Sequence, residues 1–140
     1  MGTDPNDSAA RKRRRRKPER NLRIDRRRTL CPIASTLDLV GDKWSLVIIR
    51  DLLTGKQRFN EFADSPENIP TNLLAARLKQ LEAQGLVIKE PYQERPVRYA
   101  YRLTRAGEEL LPVLQAVCRW ADTHIEDCWT PPESFMAERG

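Results

Sequence analysis

The chain has 140 residues, of which 39% are apolar and 32% are charged, a composition that suits one globular domain with a polar appendage. No uninterrupted apolar run approaches the roughly 20 residues that a membrane-spanning helix needs. Residues 1–10 lack the apolar core of a secretory signal. We therefore expect a cytoplasmic protein that has no membrane partner.

The formal net charge of +5 is distributed unevenly along the chain. Residues 1–30 hold 12 Lys and Arg against 4 Asp and Glu, whereas residues 31–140 hold 13 against 16. The positive net charge thus comes from residues 1–30, so it is no argument that the folded body binds nucleic acid. Within that body, residues 43–105 hold 11 Lys and Arg against 7 Asp and Glu. This basic stretch and the acidic region after it fit a body with one face toward nucleic acid.

Residues 1–30 are predicted to be a basic N-terminal arm that is disordered when free. Residues 11–17 are seven consecutive positive charges, which repel one another and bury no surface. Two interpretations stay open. The segment is either a leader that only adds solubility, or an arm that adds non-specific phosphate contacts or enters a minor groove.

Order is expected to begin near Cys31 and Pro32, because proline is tolerated in a first helical turn. A short apolar helix is predicted to end at Gly41. Asp42 is then placed to cap the next helix by accepting from a free backbone N–H. Apolar residues surround more than one face of this second helix, so we expect it to be the buried centre of the domain until Gly55 stops it.

A fourth helix over residues 70–84 is the most informative predicted element. Pro70 is favoured in a first helical turn and Gly85 is a typical stop. On a helical wheel one side of this helix is apolar and the other is half-polar. The apolar side consists of Leu74, Leu78 and Leu81, and the half-polar side of Asn72, Ala75, Ala76, Lys79 and Ala83.

Shorter elements flank this helix. Before it, residues 58–59 predict a link or short strand and residues 60–63 a third helix. After it, residues 86–90 and 98–103 predict two strands joined by a basic connection over residues 91–97. This order is typical of a winged helix-turn-helix, which lays one helix in the DNA major groove and a hairpin against the backbone. The predicted fold is thus mainly α with a small β-hairpin, of the α+β type.

A last helix is predicted to start at its cap, Thr104, and to kink just before Pro112, which lies too deep for a first turn. An apolar stripe recurs along it at three- and four-residue steps. The stripe consists of Leu110, Leu114, Val117, Ala121 and Ile125. We predict that a second copy covers it, giving a homodimer joined through terminal helices; the alternative is that it packs on its own domain. The domain then spans residues 31–128, followed by a C-terminal tail over 129–140.

The predicted base contacts lie near the N-terminal end of the fourth helix, which reaches base edges first. Thr71 offers a methyl to thymine and a hydroxyl to a base or phosphate. Asn72 pairs two-fold with adenine, and the small Ala75 permits close approach to the groove. The alternative for Thr71 and Asn72 is local capping. Lys79 is better placed for a phosphate.

Several arginines are candidates for the DNA backbone. Arg77 either holds a phosphate or pairs with an acid such as Glu61. In the hairpin tip, Arg95 and Arg98 can fork onto phosphate oxygens, and Arg95 can instead enter a minor groove; the alternative is a solvated turn. Weaker backbone candidates are Lys43, Arg58 and Arg105.

Several of these segments together resemble a known family. They are Cys31-Pro32, Leu39-Val40-Gly41-Asp42-Lys43-Trp44, Arg58-Phe59-Asn60-Glu61-Phe62, Ile69-Pro70-Thr71-Asn72-Leu73-Leu74, Arg77-Leu78, Leu81-Glu82, Gly85-Leu86-Val87 and Tyr101-Arg102-Leu103-Thr104-Arg105-Ala106-Gly107. In order and spacing, about residues 31–121 resemble the HxlR-type branch of winged-helix transcriptional regulators. The resemblance implies a small bacterial dimer that binds double-stranded DNA at a palindromic operator and represses or activates nearby genes.

The resemblance also bears on the cysteines. In several members of that family a cysteine just ahead of the first helix senses oxidants or electrophiles, and Cys31 matches that position; the alternative is a small buried thiol. The chain has two further cysteines, Cys118 and Cys128. An odd count without a close pair is a poor disulfide framework, so reduced thiols are expected.

Other classes of protein find less support in the sequence. The lone His124 has no obvious base–nucleophile partner, and there is no phosphate-cradling glycine loop, so no enzyme is predicted. His124 and Cys128 are four residues apart, but two ligands do not make a metal site, and no cofactor is expected. Two alternatives to a regulator stay open: a non-specific nucleic-acid-binding protein driven by the basic arm, and a protein-interaction module that has lost DNA binding.

Overall fold

The computed structural model describes Leu22 and residues 28–138. Their elements, in chain order, are α1 (Pro32–Val40), α2 (Ser45–Leu53), α3 (Phe59–Ala63), α4 (Thr71–Gln84), β1 (Val87–Glu94), β2 (Val97–Leu103), α5 (Arg105–Glu108), α6 (Leu111–His124) and α7 (Glu133–Met136). The two strands form an antiparallel hairpin. The predicted fold, mainly α with one small hairpin in the α+β winged helix-turn-helix order, is confirmed.

Most of the predicted basic arm, residues 1–30, lies outside the described residues. Of that segment the structure describes Leu22, which packs against the core, and residues 28–30. In the part of the chain that is described, every helix is too short or too polar to cross a bilayer.

The first two helices are joined by a cap that the sequence predicts correctly. The Gly41 N–H donates to the Leu37 carbonyl at 2.8 Å and ends α1. Glycine is needed there for space, because a Cβ on Gly41 would lie 2.4 Å from that same oxygen. The Asp42 carboxylate accepts from the N–H groups of Trp44 and Ser45 at 2.9 and 3.0 Å. These bonds satisfy free donors at the start of α2.

The core lies between α2, α4 and the base of the hairpin. Ile48 and Ile49 of α2 are fully buried, which confirms this helix as the centre of the domain. The buried ring of Phe62 meets Tyr101 of β2 edge to face, with 6.0 Å between ring centroids. Burial raises the pKa of Tyr101, and its backbone N–H donates to the Gln57 carbonyl at 2.7 Å. The hairpin is therefore anchored to the segment that precedes α3.

The third helix begins one residue earlier than predicted, so Phe59 belongs to α3 and not to a link. Its start is fixed by Glu61, whose Oε1 accepts from the backbone N–H groups of Gln57 and Arg58, both at 2.8 Å. The same hydrogen bonds lower the pKa of Glu61. Helix α4 begins one residue later than predicted, because Pro70 is its N-cap and not a first-turn residue. Its end agrees with prediction: the C-cap Gly85 has φ 90°, in the left-handed region that favours glycine.

The hairpin is longer than the sequence predicts. Strand β1 continues through Pro91 to Glu94, so the connection shortens to Arg95 and Pro96. Pro91 lies opposite Tyr99, and the register shifts immediately after it. A two-stranded hairpin tolerates the missing N–H of proline at such an irregularity. The expectation that the strand ends before Pro91 is therefore wrong.

The C-terminal region contains two helices where one kinked helix was expected. The chain turns after α5, and Pro112 occupies the first turn of α6, where its missing N–H costs nothing. Thr104 caps α5 as predicted, with its Oγ1 accepting from the Gly107 N–H at 3.2 Å. Helix α6 ends at His124. Cys128 therefore lies beyond the helix that contains His124.

The apolar stripe of the last helix is divided in two by the fold. Leu114 is buried in the protomer's own core and Leu110 packs against it. For these two residues the structure supports the alternative, in which the stripe packs on its own domain. Further along, Ala121 is half-buried, whereas Val117 and Ile125 are each 50% exposed. The second half of the stripe thus remains accessible.

The segment after residue 128 folds back onto the body. Phe135 of α7 is part of the buried core. The buried side chain of Gln115 on α6 donates from Nε2 to the carbonyls of Phe135 and Ala137 at 2.9 and 3.0 Å. The packed body therefore extends beyond the predicted end of the domain.

A charged network joins α2 to the segment that leads into α4. The guanidinium of Arg50 donates to both oxygens of Glu67 at 2.7 and 2.9 Å, and to the buried Asp51 at 2.8 Å. Asp51 also accepts from the Ser65 hydroxyl, and Lys56 Nζ donates to Ser65 Oγ at 2.8 Å. The hydrogen bonds from Arg50 lower the pKa of Glu67 despite partial burial.

Candidate nucleic-acid interface

Helix α4 presents one exposed face because three of its four leucines are held in the core. Leu74, Leu78 and Leu81 are buried, and the residues between them project outward. The half-polar side predicted from the sequence is exposed, with Thr71, Asn72, Ala75, Ala76, Lys79 and Ala83; Leu73, Gln80 and Glu82 are exposed as well. The first turn of α4 contains no acidic residue, so the positive end of the helix dipole is not neutralised from within the helix.

Thr71 and Asn72 lie at the exposed N-terminal end of this face. Within the described part of the chain neither side chain makes a hydrogen bond, and the N-cap itself is Pro70, which gives no side-chain cap. The local capping that was the alternative for these residues is therefore not present. Their donors and acceptors are available to a partner, beside the small side chains of Ala75 and Ala76.

Arg77 has a different environment from the one predicted. Its Nε lies 3.5 Å from Asp42 Oδ2, and its side chain also donates to Gln80. Glu61 was the wrong acid, since its carboxylate is used at the start of α3. Burial opposes ionisation of Asp42, but hydrogen bonds from the start of α2 and the charge of Arg77 lower its pKa. Arg77 thus ties α4 to the capped end of α2.

The tip of the hairpin carries the two predicted wing arginines. Arg95 and Arg98 are exposed, and neither forms an ion pair with any residue that the structure describes. Gln93 supports the tip by donating from Nε2 to the carbonyls of Arg95 and Pro96 at 3.3 and 3.1 Å. A further arginine of β2, Arg102, is instead paired with an acid of β1 at 2.6 Å.

Two cation–aromatic contacts on the hairpin were not predicted. The guanidinium of Arg58 lies 4.4 Å from the ring centre of Tyr92, and Lys89 Nζ lies 4.3 Å from that of Tyr99. Such contacts hold cationic groups against the surface of the hairpin. The contact between Lys89 and Tyr99 could have been predicted from the strand register, which places the two residues on one face of the hairpin. That register depends on continuing β1 through Pro91.

Together these elements form one surface with two kinds of chemistry. Helix α4 packs against β1, so the hairpin is held beside the exposed helix face. The helix supplies amide, hydroxyl and methyl groups suited to base edges, with Lys79 at the side. The hairpin supplies the unpaired cations of Arg95 and Arg98, which suit phosphate oxygens.

The cysteines are separated in the structure. Cys31 is exposed at the N-cap of α1, with its N–H donating to Thr29 Oγ1 at 3.2 Å; the buried thiol that was its alternative is not observed. Cys118 is half-buried and Cys128 is exposed. Among the described residues, no group of three or more His, Cys, Asp and Glu could hold a metal ion.

Comparison with known proteins places this surface in a family of regulators. Residues 39–128 match the model of the HxlR-like helix-turn-helix family. An HTH-type transcriptional regulator of Synechocystis, sll1512, is 36% identical over 97 residues, which are 69% of this chain and 72% of that protein. The HTH-type transcriptional regulator YybR of Bacillus subtilis is 35% identical over 94 residues, 67% of this chain and 75% of that protein.

Solved structures agree with the sequence relatives. The redox regulator HypR in its oxidized form is 34% identical with a TM-score of 0.63, covering 69% of this chain and 99% of that one. The reduced form of the transcriptional regulator YodB from B. subtilis is 35% identical with a TM-score of 0.60, covering 72% and 100%. The family match spans the helices and the hairpin that build the interface. The chain therefore belongs to the HxlR family of helix-turn-helix proteins and is a DNA-binding transcriptional regulator.

Proposed function

We propose that the protein is a homodimeric regulator, a repressor or activator, that binds a palindromic operator through α4. The observation that carries this proposal is the exposed N-terminal end of α4, where Thr71 and Asn72 have no internal hydrogen-bond partner in the described chain. Polar groups left available beside small side chains suit direct contact with base edges in a major groove.

Each residue of the interface has a proposed role. Asn72 pairs with adenine, Thr71 contacts a base or phosphate, and Lys79 holds a phosphate at the side of the groove. Arg95 and Arg98 contact the backbone from the hairpin; neither pairs with an acid within the described part of the chain, which supports the assignment. Arg77 is better placed to position α4 than to hold a phosphate, since Asp42 already occupies it.

The proposed dimer uses apolar surface on both terminal helices. On α6, Val117, Ala121 and the following Ile125 offer the accessible half of the stripe. On α1, the exposed side chains of Ile33 and Leu37 add a patch that the sequence did not predict. Apolar side chains gathered at two helices favour an interface with a second copy. Two recognition helices then lie about one DNA turn apart, roughly 34 Å.

Selection of bound duplexes from a random pool tests operator binding and symmetry together. We expect a motif with two-fold symmetry, its half-sites about one helical turn apart.

Val117→Glu should yield a monomer, measured by light scattering, because a charge then occupies the proposed interface. The matched control is Val97→Glu on the hairpin, whose valine is 54% exposed; this variant should remain a dimer. Retention of duplexes without a shared motif would favour the non-specific alternative.

Removal of residues 1–29 should weaken the salt dependence of binding while preserving sequence preference. If each half of the dimer makes three or four phosphate contacts, the log–log slope of affinity against salt is about −5 to −7. The basic block over 11–17 adds contacts that carry no sequence information. The measurement is operator and random-duplex affinity across a salt series. A trimmed protein that no longer distinguishes the two duplexes would contradict this division of roles.

We also propose that Cys31 senses thiol-reactive compounds. Its exposure supports this role, as does the likeness to HypR, which is named a redox regulator. Cys31→Ser should abolish the loss or gain of operator affinity that a mild oxidant causes in the wild type, measured by titration of labelled duplex. Cys128→Ser is the control, because Cys128 is equally an exposed free thiol. A response that persists without Cys31 would exclude it as the sensor.

A further inference from the structure

A cavity of about 500 Å³ opens between α2, α6 and the segment over residues 129–135. Its walls are largely apolar, with Val47 from α2, Leu114 from α6 and Phe135 from α7 among them. Trp129, which is 78% exposed, stands at its rim. Small-molecule sites have this size and composition, mostly apolar with a few polar groups.

The cavity is built within one protomer. Its outer wall is the segment after residue 128, which Gln115 holds to α6 through hydrogen bonds to the carbonyls of Phe135 and Ala137. Gln115 is itself buried. A buried amide that fixes two carbonyls gives this wall a defined position within the protomer. One lining residue, Val117, also belongs to the proposed dimer surface, so the cavity lies beside that surface.

The floor of the cavity sets the chemistry of an occupant. Arg50 is engaged by Asp51 and Glu67. Lys56 Nζ donates to Ser65 Oγ at 2.8 Å and lies 3.8 Å from an oxygen of Asp51. An ammonium group has three donors, so Lys56 retains one for a guest. The floor therefore offers a guest at least one hydrogen-bond donor, on Lys56.

We propose that this cavity binds an aromatic, mostly apolar small molecule that carries one acceptor oxygen. The apolar body of the guest packs against Val47, Leu114 and Phe135, and its ring lies near Trp129. Its oxygen accepts from Lys56 Nζ. This deepens the proposed function, because it gives the regulator a site for its effector.

The floor also connects the cavity to the recognition helix. Lys56 and Arg50 bond to Ser65 and Glu67, which lie in the segment that enters α4 at Pro70. A guest that accepts from the remaining donor of Lys56 adds a partner to the ammonium that bonds Ser65, which shifts this ammonium and alters the support of that segment. Occupancy therefore changes operator affinity, and the operator changes guest affinity by the same factor. This coupling, unlike the site itself, rests on the proposed binding of an operator through α4.

The test uses 8-anilinonaphthalene-1-sulfonate, an aromatic anion, as the probe on the full-length protein. We expect saturable fluorescence enhancement with one probe per protomer. Val47→Trp, which fills the cavity from α2, should weaken binding at least tenfold; Leu46→Trp, from the same wall, should do the same and serves if the first variant folds poorly. The matched control is Val113→Trp, an exposed position of α6 outside the cavity, which should leave affinity unchanged.

Each result has a defined meaning. Equal probe binding by the folded Val47→Trp, Leu46→Trp and Val113→Trp variants would overturn the site, because the probe would then report general apolar surface. A change from dimer to monomer in the two cavity variants alone would also overturn it, since the cavity would be filled by a second copy. With the site established, saturating probe should change operator affinity at least fivefold in the wild type. If operator affinity stays the same with saturating probe, the coupling is overturned but the site is not. Failure to find an operator would count against the proposed function alone.

Discussion

Arg50→Leu is expected to lower the free energy of unfolding by about 3–5 kcal/mol. Asp51 is 2% exposed and loses its close cationic partner in this variant. Lys56 Nζ remains only at 3.8 Å, and Glu67 loses both of its hydrogen bonds from the guanidinium. Removing one member of a buried charged network leaves the other buried without compensation, which costs far more than the intact pair contributes. Urea denaturation at neutral pH measures the loss.

The matched control is Arg102→Leu, the same change at an exposed ion pair. Arg102 and Glu90 are both well exposed, so their pairing is screened by water and salt, and its loss should cost less than about 1 kcal/mol. Equal destabilisation by the two leucine variants would show that the network around Asp51 contributes no more than a surface pair.

Glu67→Gln should destabilise the protein less than Arg50→Leu does. The free energy of unfolding that Glu67→Gln removes should depend on pH. Arg50 lowers the pKa of Glu67 below its ordinary value of 4.5. A carboxylate with a lowered folded-state pKa stabilises the fold above its unfolded pKa, and that stability disappears as pH falls through the folded value. The difference in urea midpoint between wild type and variant should therefore be present at neutral pH and shrink as pH falls below 4.5 and through the lowered folded-state pKa. A constant difference would contradict the ion-pair assignment.

Local chemistry explains why the helices before the hairpin could be predicted. Gly41, Asp42, Pro70 and Gly85 act on backbone groups within a few residues of themselves, so their effect is visible without a tertiary structure. The exposed face of α4 follows from the spacing of its leucines in the same way. The order of elements in the winged helix-turn-helix rests on these signals.

The features that were missed depend on contacts between residues far apart in the chain. The length of β1 is set by its pairing across a bulge, which the isolated Pro91 does not reveal. The break before Pro112 and the return of Phe135 to the core both require the packing of α6 on α2 and α7 on α6. The pairing of Arg77 with Asp42 likewise needs two helices to be brought together. The sequence left open whether Arg77 holds a phosphate or pairs with an acid such as Glu61, because it does not show which acid lies near.

Ala75→Glu is expected to reduce operator affinity at least about 100-fold while leaving the fold intact. Ala75 is exposed on the face of α4 that we propose for the major groove. A glutamate there removes the space for close approach and places a negative charge against phosphates and base acceptors. Like-charge contact at an interface costs several kcal/mol, and each 1.4 kcal/mol is about tenfold in affinity. Fluorescence anisotropy with labelled operator measures the change.

Ala83→Glu is the matched control for this prediction. Ala83 is also exposed on α4 and changes the net charge identically, but it lies two turns further along the helix, about 12 Å away. Because the N-terminal end of a recognition helix enters the groove first, this second variant should lose less than about fivefold in affinity. Equal losses would mean that the charge acts from a distance and not by contact. Unchanged affinity in Ala75→Glu would mean that α4 does not enter DNA by this face.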